Sequence, residues 1–168
     1  YFKDEIKNAK LIANPGCYPT ASLLALLPFI DYIDIDAPIF IDAKSGVSGA
    51  GKNPSETTHY CQINDNVHAY NPFKHRHMPE IHEKVKILKG KDVSINFVPH
   101  LLPLTRGMLV SVFATLKDDI DVNEVLNNSY KDSEFVRLRN KPVDVKSVAG
   151  TNFCDLFVAK NGKALFVS

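Results

Sequence analysis

The chain has 168 residues, of which 45% are hydrophobic and 23% charged, as is ordinary for one globular domain with a real core. Its formal net charge of +1 gives no basis for binding nucleic acid or an anionic membrane, and its longest apolar stretch, residues 21–30, is too short to span a bilayer. Three cysteines without a CxxC pair favour a reducing compartment, so we expect a cytoplasmic protein.

The first organised stretch is predicted to be a strand, a tight turn and a helix. Polar residues 1–10 are interpreted as a lead-in segment. A short apolar run, residues 11–13, then precedes Asn14-Pro15-Gly16-Cys17-Tyr18-Pro19-Thr20, and an apolar helical pattern follows. Gly16 supplies the backbone freedom of a sharp turn, and Pro19 suits the first turn of a helix.

Cys17 is therefore predicted at or just before a helix N-terminus. Unpaired backbone N–H groups and the positive end of the helix dipole lie there, and both favour the thiolate over the thiol. The same N–H groups could hold an oxyanion formed when the thiolate attacks a carbonyl. The alternative is an inert cysteine buried in a turn.

A glycine-rich loop follows the next predicted strand, residues 38–43. Residues 45–55 contain three glycines, a proline and several small side chains without periodicity. Hydroxyl groups of Ser45 and Ser48, free backbone N–H groups and Lys52 could bind a phosphate or a carboxylate there. The alternative is a flexible, solvated loop.

The pair His75 and His77 is the second chemical feature of the sequence. It follows a predicted strand at residues 66–70 and precedes a helix predicted from Pro79 to about residue 88. Histidine is a natural base for a thiol because its pKa lies near neutrality. Two alternatives stay open, a metal site and a pair of plain surface histidines.

Two charged residues flank this pair. Glu80 is a carboxylate that could fix the tautomer of the neighbouring imidazole and stabilise its protonated form. Arg76 could clamp an anion or pair with Glu80.

Beyond the helix, residues 93–98 are predicted to form a strand, residues 99–107 an irregular proline-rich connection, and residues 108–116 a central strand. Arg106 is a candidate for binding a substrate carboxylate or phosphate, although it could equally pair with a helix terminus or a loop carbonyl. Asp121 is predicted to cap a helix. Four further strands are predicted, over residues 135–138, 143–149, 153–159 and 164–167, the last two joined by an Asn161-Gly162 hairpin turn.

Five motifs, in order, resemble those of the N-acetyl-gamma-glutamyl-phosphate reductases of arginine biosynthesis, and more loosely the aspartate-semialdehyde and glyceraldehyde-3-phosphate dehydrogenases. They are residues 14–20, Lys44-Ser45-Gly46-Val47-Ser48-Gly49-Ala50-Gly51-Lys52, His75-Arg76-His77-Met78-Pro79-Glu80, residues 99–107, and Gly150-Thr151-Asn152-Phe153-Cys154-Asp155. The resemblance implies an α+β fold with a mixed, mostly antiparallel sheet and helices mainly on one face. It also implies a homo-oligomer, a dimer or a tetramer, formed through a free apolar face.

The resemblance implies a reaction in which Cys17 attacks an acyl phosphate and NADP(H) supplies the hydride. One histidine of the pair would be the acid and base; we favour His77 over His75, with Glu80 in support. Substrate contacts are implied for Asn14, Ser45, Ser48, Lys52, Arg76 and Arg106, and cofactor contacts for Gly16 and Asn152.

No GxGxxG that opens a helix after a strand occurs in the sequence. We therefore expect residues 1–168 to be a single catalytic and dimerisation domain of a longer chain whose N-terminal nucleotide-binding domain lies outside it. Two alternatives are a related semialdehyde dehydrogenase acting on an aspartyl or amino-adipyl phosphate, and a catalytically idle dimerisation domain.

Overall fold

The computed structural model describes residues 2–168, in which a six-stranded sheet and a two-stranded sheet are covered by helices. The helices are α1 (Lys3–Asn8), α2 (Cys17–Leu26), α3 (Tyr60–Ile63), α4 (His77–Lys89) and α5 (Val122–Tyr130). The strands are β1 (Ile39–Ser45), β2 (His68–Ala69), β3 (Ile95–Leu101), β4 (Met108–Thr115), β5 (Val136–Leu138), β6 (Cys154–Leu156), β7 (Val158–Asn161) and β8 (Ala164–Val167).

The large sheet is mixed and mostly antiparallel, with the strand order β2-β3-β1-β4-β8-β7. Only the pairing of β1 with β3 is parallel among its described strands, and the smaller sheet pairs β5 with β6 in parallel. The central position of β4, predicted from its long apolar run, is confirmed. The α+β fold class is confirmed as well.

One face of the large sheet carries the core. Alternation along β1 turns Ile41 and Ala43 inward, and Val112 of β4 lies opposite Ile41 on the same side. Helix α2 packs against β4 and against α4, and α4 packs against β3. Ile81 and Val85, four residues apart on α4, are fully buried by this contact. Helices therefore cover the core face, as predicted.

The opposite face of the sheet exposes large apolar side chains. Phe40 is 49% exposed and Phe113, its partner in the β1–β4 register, is 44% exposed. The ring of Phe113 also contacts that of Phe166 on β8, with 5.2 Å between ring centroids. We refer to these three residues as the aromatic patch. Exposed aromatic side chains in one contiguous patch indicate a contact surface.

Two predicted strands are wrong. Residues 11–13 form no strand, and Leu11 is 91% exposed because nothing packs on it. Residues 143–149 instead contain a short 3-10 helix, Lys146–Val148, whose first turn is held by hydrogen bonds from Ser147 to the Asp144 carboxylate. The lead-in segment contains helix α1, while Tyr1 lies outside the described residues.

Other boundaries shift for physical reasons. Strand β3 continues through Pro99, which was predicted to begin an irregular connection. The carbonyl of Pro99 accepts a hydrogen bond from the Tyr70 N–H at the short edge strand β2. Because β2 is short, the N–H group that proline lacks costs the sheet few hydrogen bonds. The hairpin between β7 and β8 is confirmed, but its turn is centred one residue later, on residues 162–163, with Gly162 at a φ of +55°.

Candidate active site

Cys17 is the first residue of α2, and its side chain is exposed. The Thr20 N–H donates to the Gly16 carbonyl at 3.0 Å, and Pro19 has no N–H. Within residues 2–168, the N–H groups of Cys17 and Tyr18 have no acceptor. The helix start therefore presents two free N–H donors beside the thiol, as the sequence predicted.

Glu80 anchors the turn that carries the cysteine. Its Oε1 accepts a hydrogen bond from the Gly16 N–H at 3.0 Å. The sequence predicted that Glu80 would fix the tautomer of a histidine, and that detail is wrong, because Nδ1 of His77 has no hydrogen-bond partner among the described residues. Glu80 acts on His77 through charge instead, since its carboxylate raises the pKa of that imidazole and so opposes the larger effect of burial.

His77 is packed directly against the turn. A Cβ at Gly16 would lie 2.6 Å from Nε2 of His77, so the imidazole fills the space that a side chain at Gly16 would need. His77 is 9% exposed, and burial is the main reason that its pKa lies below the ordinary value of 6.5. A neutral imidazole at pH 7 is a competent proton acceptor.

His75 has a different set of contacts. Its Nδ1 accepts a hydrogen bond from the backbone N–H of His77 at 3.1 Å, so the proton of the neutral ring is on Nε2. Burial, followed by the neighbouring His77, lowers the pKa of His75. The two rings meet edge to face at 4.8 Å between centroids. The local geometry thus makes His75 a hydrogen-bond donor and leaves His77 free to act as a base.

Two tyrosines that the sequence analysis did not single out complete the cluster. Tyr18 is only 2% exposed, and its ring packs edge to face against His75, His77 and Phe97. Its hydroxyl lies 2.9 Å from that of Tyr70. Burial raises the pKa of both phenols, so both stay protonated near neutral pH. Only the position of Tyr18 directly after Cys17 could have suggested a role.

Cys17 lies between two cavities. Cavity A, of about 280 Å³, joins Cys17 to Ser45, Tyr70, Arg76 and the histidine pair. Cavity B, of about 630 Å³, lies on the other side of Cys17 and includes Asn14 and Asn152. Cys154 also lines cavity B, but burial raises the pKa of its thiol, which makes it a poorer nucleophile.

The structure separates the other predicted binding residues. Ser45 lines cavity A, but its hydroxyl donates to the Gly46 carbonyl at 2.8 Å. Ser48 and Lys52 line a different cavity of about 510 Å³, and Arg106 lines another of about 590 Å³ that also includes Asn152. Of the predicted anion-binding residues, only Ser45 and Arg76 share cavity A with Cys17.

Most of the first N–H groups of the glycine-rich loop already make hydrogen bonds within the chain. The N–H groups of Gly46, Val47 and Ser48 donate to carbonyls of the segment 104–107. The predicted set of free backbone donors in this loop is therefore wrong for these three residues. Hydroxyl groups that were not predicted, those of Thr57 and Thr58, line cavity A.

In the part of the chain that the structure describes, no cluster of three or more His, Cys, Asp or Glu side chains is placed to hold a metal ion. None of the helices in residues 2–168 is long and apolar enough to cross a membrane.

Close relatives carry one name. The chain is 64% identical over 168 residues to an N-acetyl-gamma-glutamyl-phosphate reductase of Sulfurovum sp. (strain NBC37-1), covering 100% of the chain and 50% of the relative. It is 55% identical over 166 residues to a protein of the same name from Wolinella succinogenes, covering 99% of the chain and 49% of that relative. The chain thus spans about half the length of the curated relatives it matches, and the resemblance drawn from the motifs is confirmed.

Solved structures share the fold. An aspartate semialdehyde dehydrogenase II from Vibrio cholerae superposes with a TM-score of 0.72 at 23% identity, covering 98% of this chain and 58% of that one. The family model described as "Semialdehyde dehydrogenase, dimerisation domain" matches residues 17–168, which include Cys17, both histidines and the whole of the large sheet. The chain therefore belongs to the semialdehyde dehydrogenase family, as a dimerisation domain of that family.

Proposed function

We propose that this chain is the substrate-binding and catalytic half of a reductase that converts N-acetyl-glutamyl 5-phosphate to N-acetyl-glutamate 5-semialdehyde in arginine biosynthesis, with NADPH as the reductant. Relatives of that name at 64% and 55% identity support the substrate. The observation that carries the mechanism is an exposed Cys17 at the start of α2, beside two free N–H groups and lining the same cavity as the buried His77, whose pKa is lowered by burial.

The first step is attack by the Cys17 thiolate on the acyl carbon in cavity A. His77 takes the thiol proton, and the N–H groups of Cys17 and Tyr18 donate to the oxyanion. The carbon–oxygen bond to phosphate then breaks, phosphate leaves, and a thioester on Cys17 remains. Arg76 lines the same cavity and is the cation available to the anionic substrate.

Reduction of the thioester uses the other side of Cys17. NADPH would supply the hydride there, and cavity B fits its nicotinamide end because the amides of Asn14 and Asn152 can hydrogen-bond a carboxamide. Protonated His77 then returns its proton to the departing thiolate. The family's nucleotide-binding half supplies the rest of the cofactor site. A thiolate suits both steps because it attacks well and leaves well.

The thioester step can be tested on this chain alone. The chain is mixed with N-acetyl-glutamyl phosphate, phosphate release is followed, and the acylated residue is located by mass spectrometry. We expect acylation at Cys17, none in Cys17→Ser, and full acylation in the control Cys61→Ser, because Cys61 is exposed and lines neither cavity. Aspartyl phosphate as the better acyl donor would favour a related semialdehyde dehydrogenase, and no acylation by any acyl phosphate would favour an idle domain.

The base is assigned by a matched pair of substitutions. His77→Ala is expected to slow phosphate release by at least about 100-fold, the lower range for a general base. His59→Ala, at an exposed histidine next to α3, is expected to leave the rate unchanged. A loss in His75→Ala with full activity in His77→Ala would reverse the assignment.

We also propose that the chain forms a homodimer through the aromatic patch. The patch is exposed on the sheet face opposite the core, and the family is described as a dimerisation domain. Phe113→Glu would place a charge beside Phe40 and Phe166 and is expected to give a monomer by light scattering. A wild-type chain that is monomeric at high concentration would contradict this proposal.

A further inference from the structure

Tyr70 reaches the same cavity as the nucleophile, but no step above uses it. It follows β2 and lines cavity A together with Cys17, Ser45, Arg76 and His75. Its phenol is close enough to Cys17 and Arg76 for both charges to influence it, the thiolate disfavouring the phenolate and the guanidinium favouring it. Its ring lies edge to face with His75, 5.6 Å between centroids. The hydroxyl therefore stands in a half-buried, aromatic corner of the cavity.

The hydrogen bond between Tyr18 and Tyr70 has two possible directions, because either hydroxyl can be the donor across the 2.9 Å that separates their oxygens. Tyr70 can donate to Tyr18, or Tyr18 can donate to Tyr70. In the second arrangement the proton of Tyr70 is free to point into cavity A.

An acceptor oxygen in cavity A selects the second arrangement. Only two hydroxyl protons need to rotate, because the rings of His75, His77 and Phe97 contact that of Tyr18 edge to face and hold it in place. The cost of preorganising the donor is therefore small. Burial keeps the phenol of Tyr70 protonated, so it remains a donor near neutral pH.

We propose that Tyr70 is a substrate-binding residue whose hydroxyl, supported by Tyr18, donates a hydrogen bond to an acceptor oxygen of the substrate in cavity A. This rests on the proposed function, because it takes the acyl phosphate as the occupant of that cavity. The acceptor belongs either to the phosphoryl group or to the carboxylate and acetamide of the carbon skeleton, since each offers the same chemistry.

The test uses the full-length reductase with Tyr70→Phe, which removes one hydroxyl and keeps the ring. We expect KM for the acyl phosphate to rise about three- to tenfold, the range for one hydrogen bond, with kcat nearly unchanged. The matched control is Tyr32→Phe, at a 41% exposed tyrosine that lines neither cavity. In the reverse reaction, separate KM values for phosphate and for the semialdehyde show which of them carries the acceptor.

The outcomes separate two failures. If the wild-type enzyme turns over the acyl phosphate but Tyr70→Phe has the same KM as Tyr32→Phe, this inference is overturned and the proposed function stands. A wild-type enzyme without acyl-phosphate turnover overturns the proposed function and this inference with it. As a check on folding, the pH profile of Cys17 alkylation in Tyr70→Phe must match the wild type; a shifted profile would show that the hydroxyl acts on the thiol or the fold, and would overturn a binding role.

Discussion

Replacing Gly16 by alanine tests the closest contact in the candidate site. The backbone at Gly16, with φ −61° and ψ 155°, is open to any residue, so alanine adds no backbone strain. The added Cβ would instead meet three ring atoms of His77, at 2.6, 2.9 and 3.0 Å. His77 cannot move aside easily, because its ring contacts those of Tyr18 and His75 edge to face, at 5.9 and 4.8 Å between centroids.

The expected cost of this substitution has two parts. Overpacking of this kind costs about 1–3 kcal/mol. Alanine is also a poorer N-cap than glycine, which adds about 0.5–1 kcal/mol. We therefore expect Gly16→Ala to lower the free energy of unfolding by about 1.5–4 kcal/mol, measured by urea denaturation. We also expect it to slow alkylation of Cys17, because the displaced imidazole no longer faces the turn.

A double-mutant cycle isolates the contact. In a His77→Ala background, the steric part disappears and only the capping part of the Gly16→Ala cost remains. The coupling between the two substitutions is thus expected to be about 1–3 kcal/mol, with the double variant more stable than the sum of the single effects predicts. If Gly16→Ala unfolds at the wild-type urea concentration, or if the two costs add, the packing of His77 on the turn is not as described.

Three further predictions concern the histidine pair, the start of α5 and the close packing at Gly107. Because burial lowers the pKa of His75 and His77, the unfolded chain binds more protons than the folded one just below pH 6.5. The contribution of the two histidines to stability is therefore expected to be complete above that pH and to fall as the pH drops. Urea midpoints between pH 5 and 8 measure this dependence, which is expected to be shallower in His77→Gln. Asp121→Ala removes a carboxylate oxygen that accepts two N–H bonds at the start of α5, and is expected to cost about 1 kcal/mol in the same assay. Gly107→Ala would place a Cβ 2.2 Å from a methyl group of Val145 at a φ of +122°, and is expected to lower the melting temperature more than Asp121→Ala does; an equal or smaller effect would contradict this packing.

The turn before α2 was predictable because its information is local. Gly16, Cys17 and Pro19 lie within four successive positions whose backbone requirements define the start of a helix, and no distant residue is needed to place them. The same holds for Asp121, whose side chain caps the start of α5. These features follow from the chemistry of a few neighbouring residues.

The partners within the site were harder to predict because they depend on tertiary packing. A carboxylate three residues after His77 gave reason to expect a hydrogen bond between the two. The orientation of α4 instead turns Glu80 toward Gly16. Likewise Tyr18 on α2 and Tyr70, which directly follows β2, meet only in the folded chain, because 52 residues separate them in sequence. Periodicity shows which face of a helix is buried, but not which distant backbone group an edge residue will meet.

The glycine-rich loop shows a third kind of limit. Its composition correctly predicts irregular backbone, and a loop of this type often binds anions. Whether its N–H groups are free depends on the segment beside it. In this fold, residues 104–107 supply carbonyl acceptors for the N–H groups of Gly46, Val47 and Ser48. The loop after β1 is therefore hydrogen-bonded to the segment that precedes β4. Ser48 and Lys52 accordingly face a different cavity from Cys17.

The bond between Gly16 and Glu80 closes a loop of 64 residues, and the bond between Tyr18 and Tyr70 closes one of 52. Contacts so far apart in sequence form late, because the entropy of loop closure is lost before they contribute any stability. Helix α2 can therefore appear early in refolding while its cysteine still lacks a base, an anchored turn and a cavity. Under the proposed mechanism, the reactivity of Cys17 therefore depends on the completed β-sheet as well as on its own helix, and a half-folded chain lacks the base that would take the thiol proton.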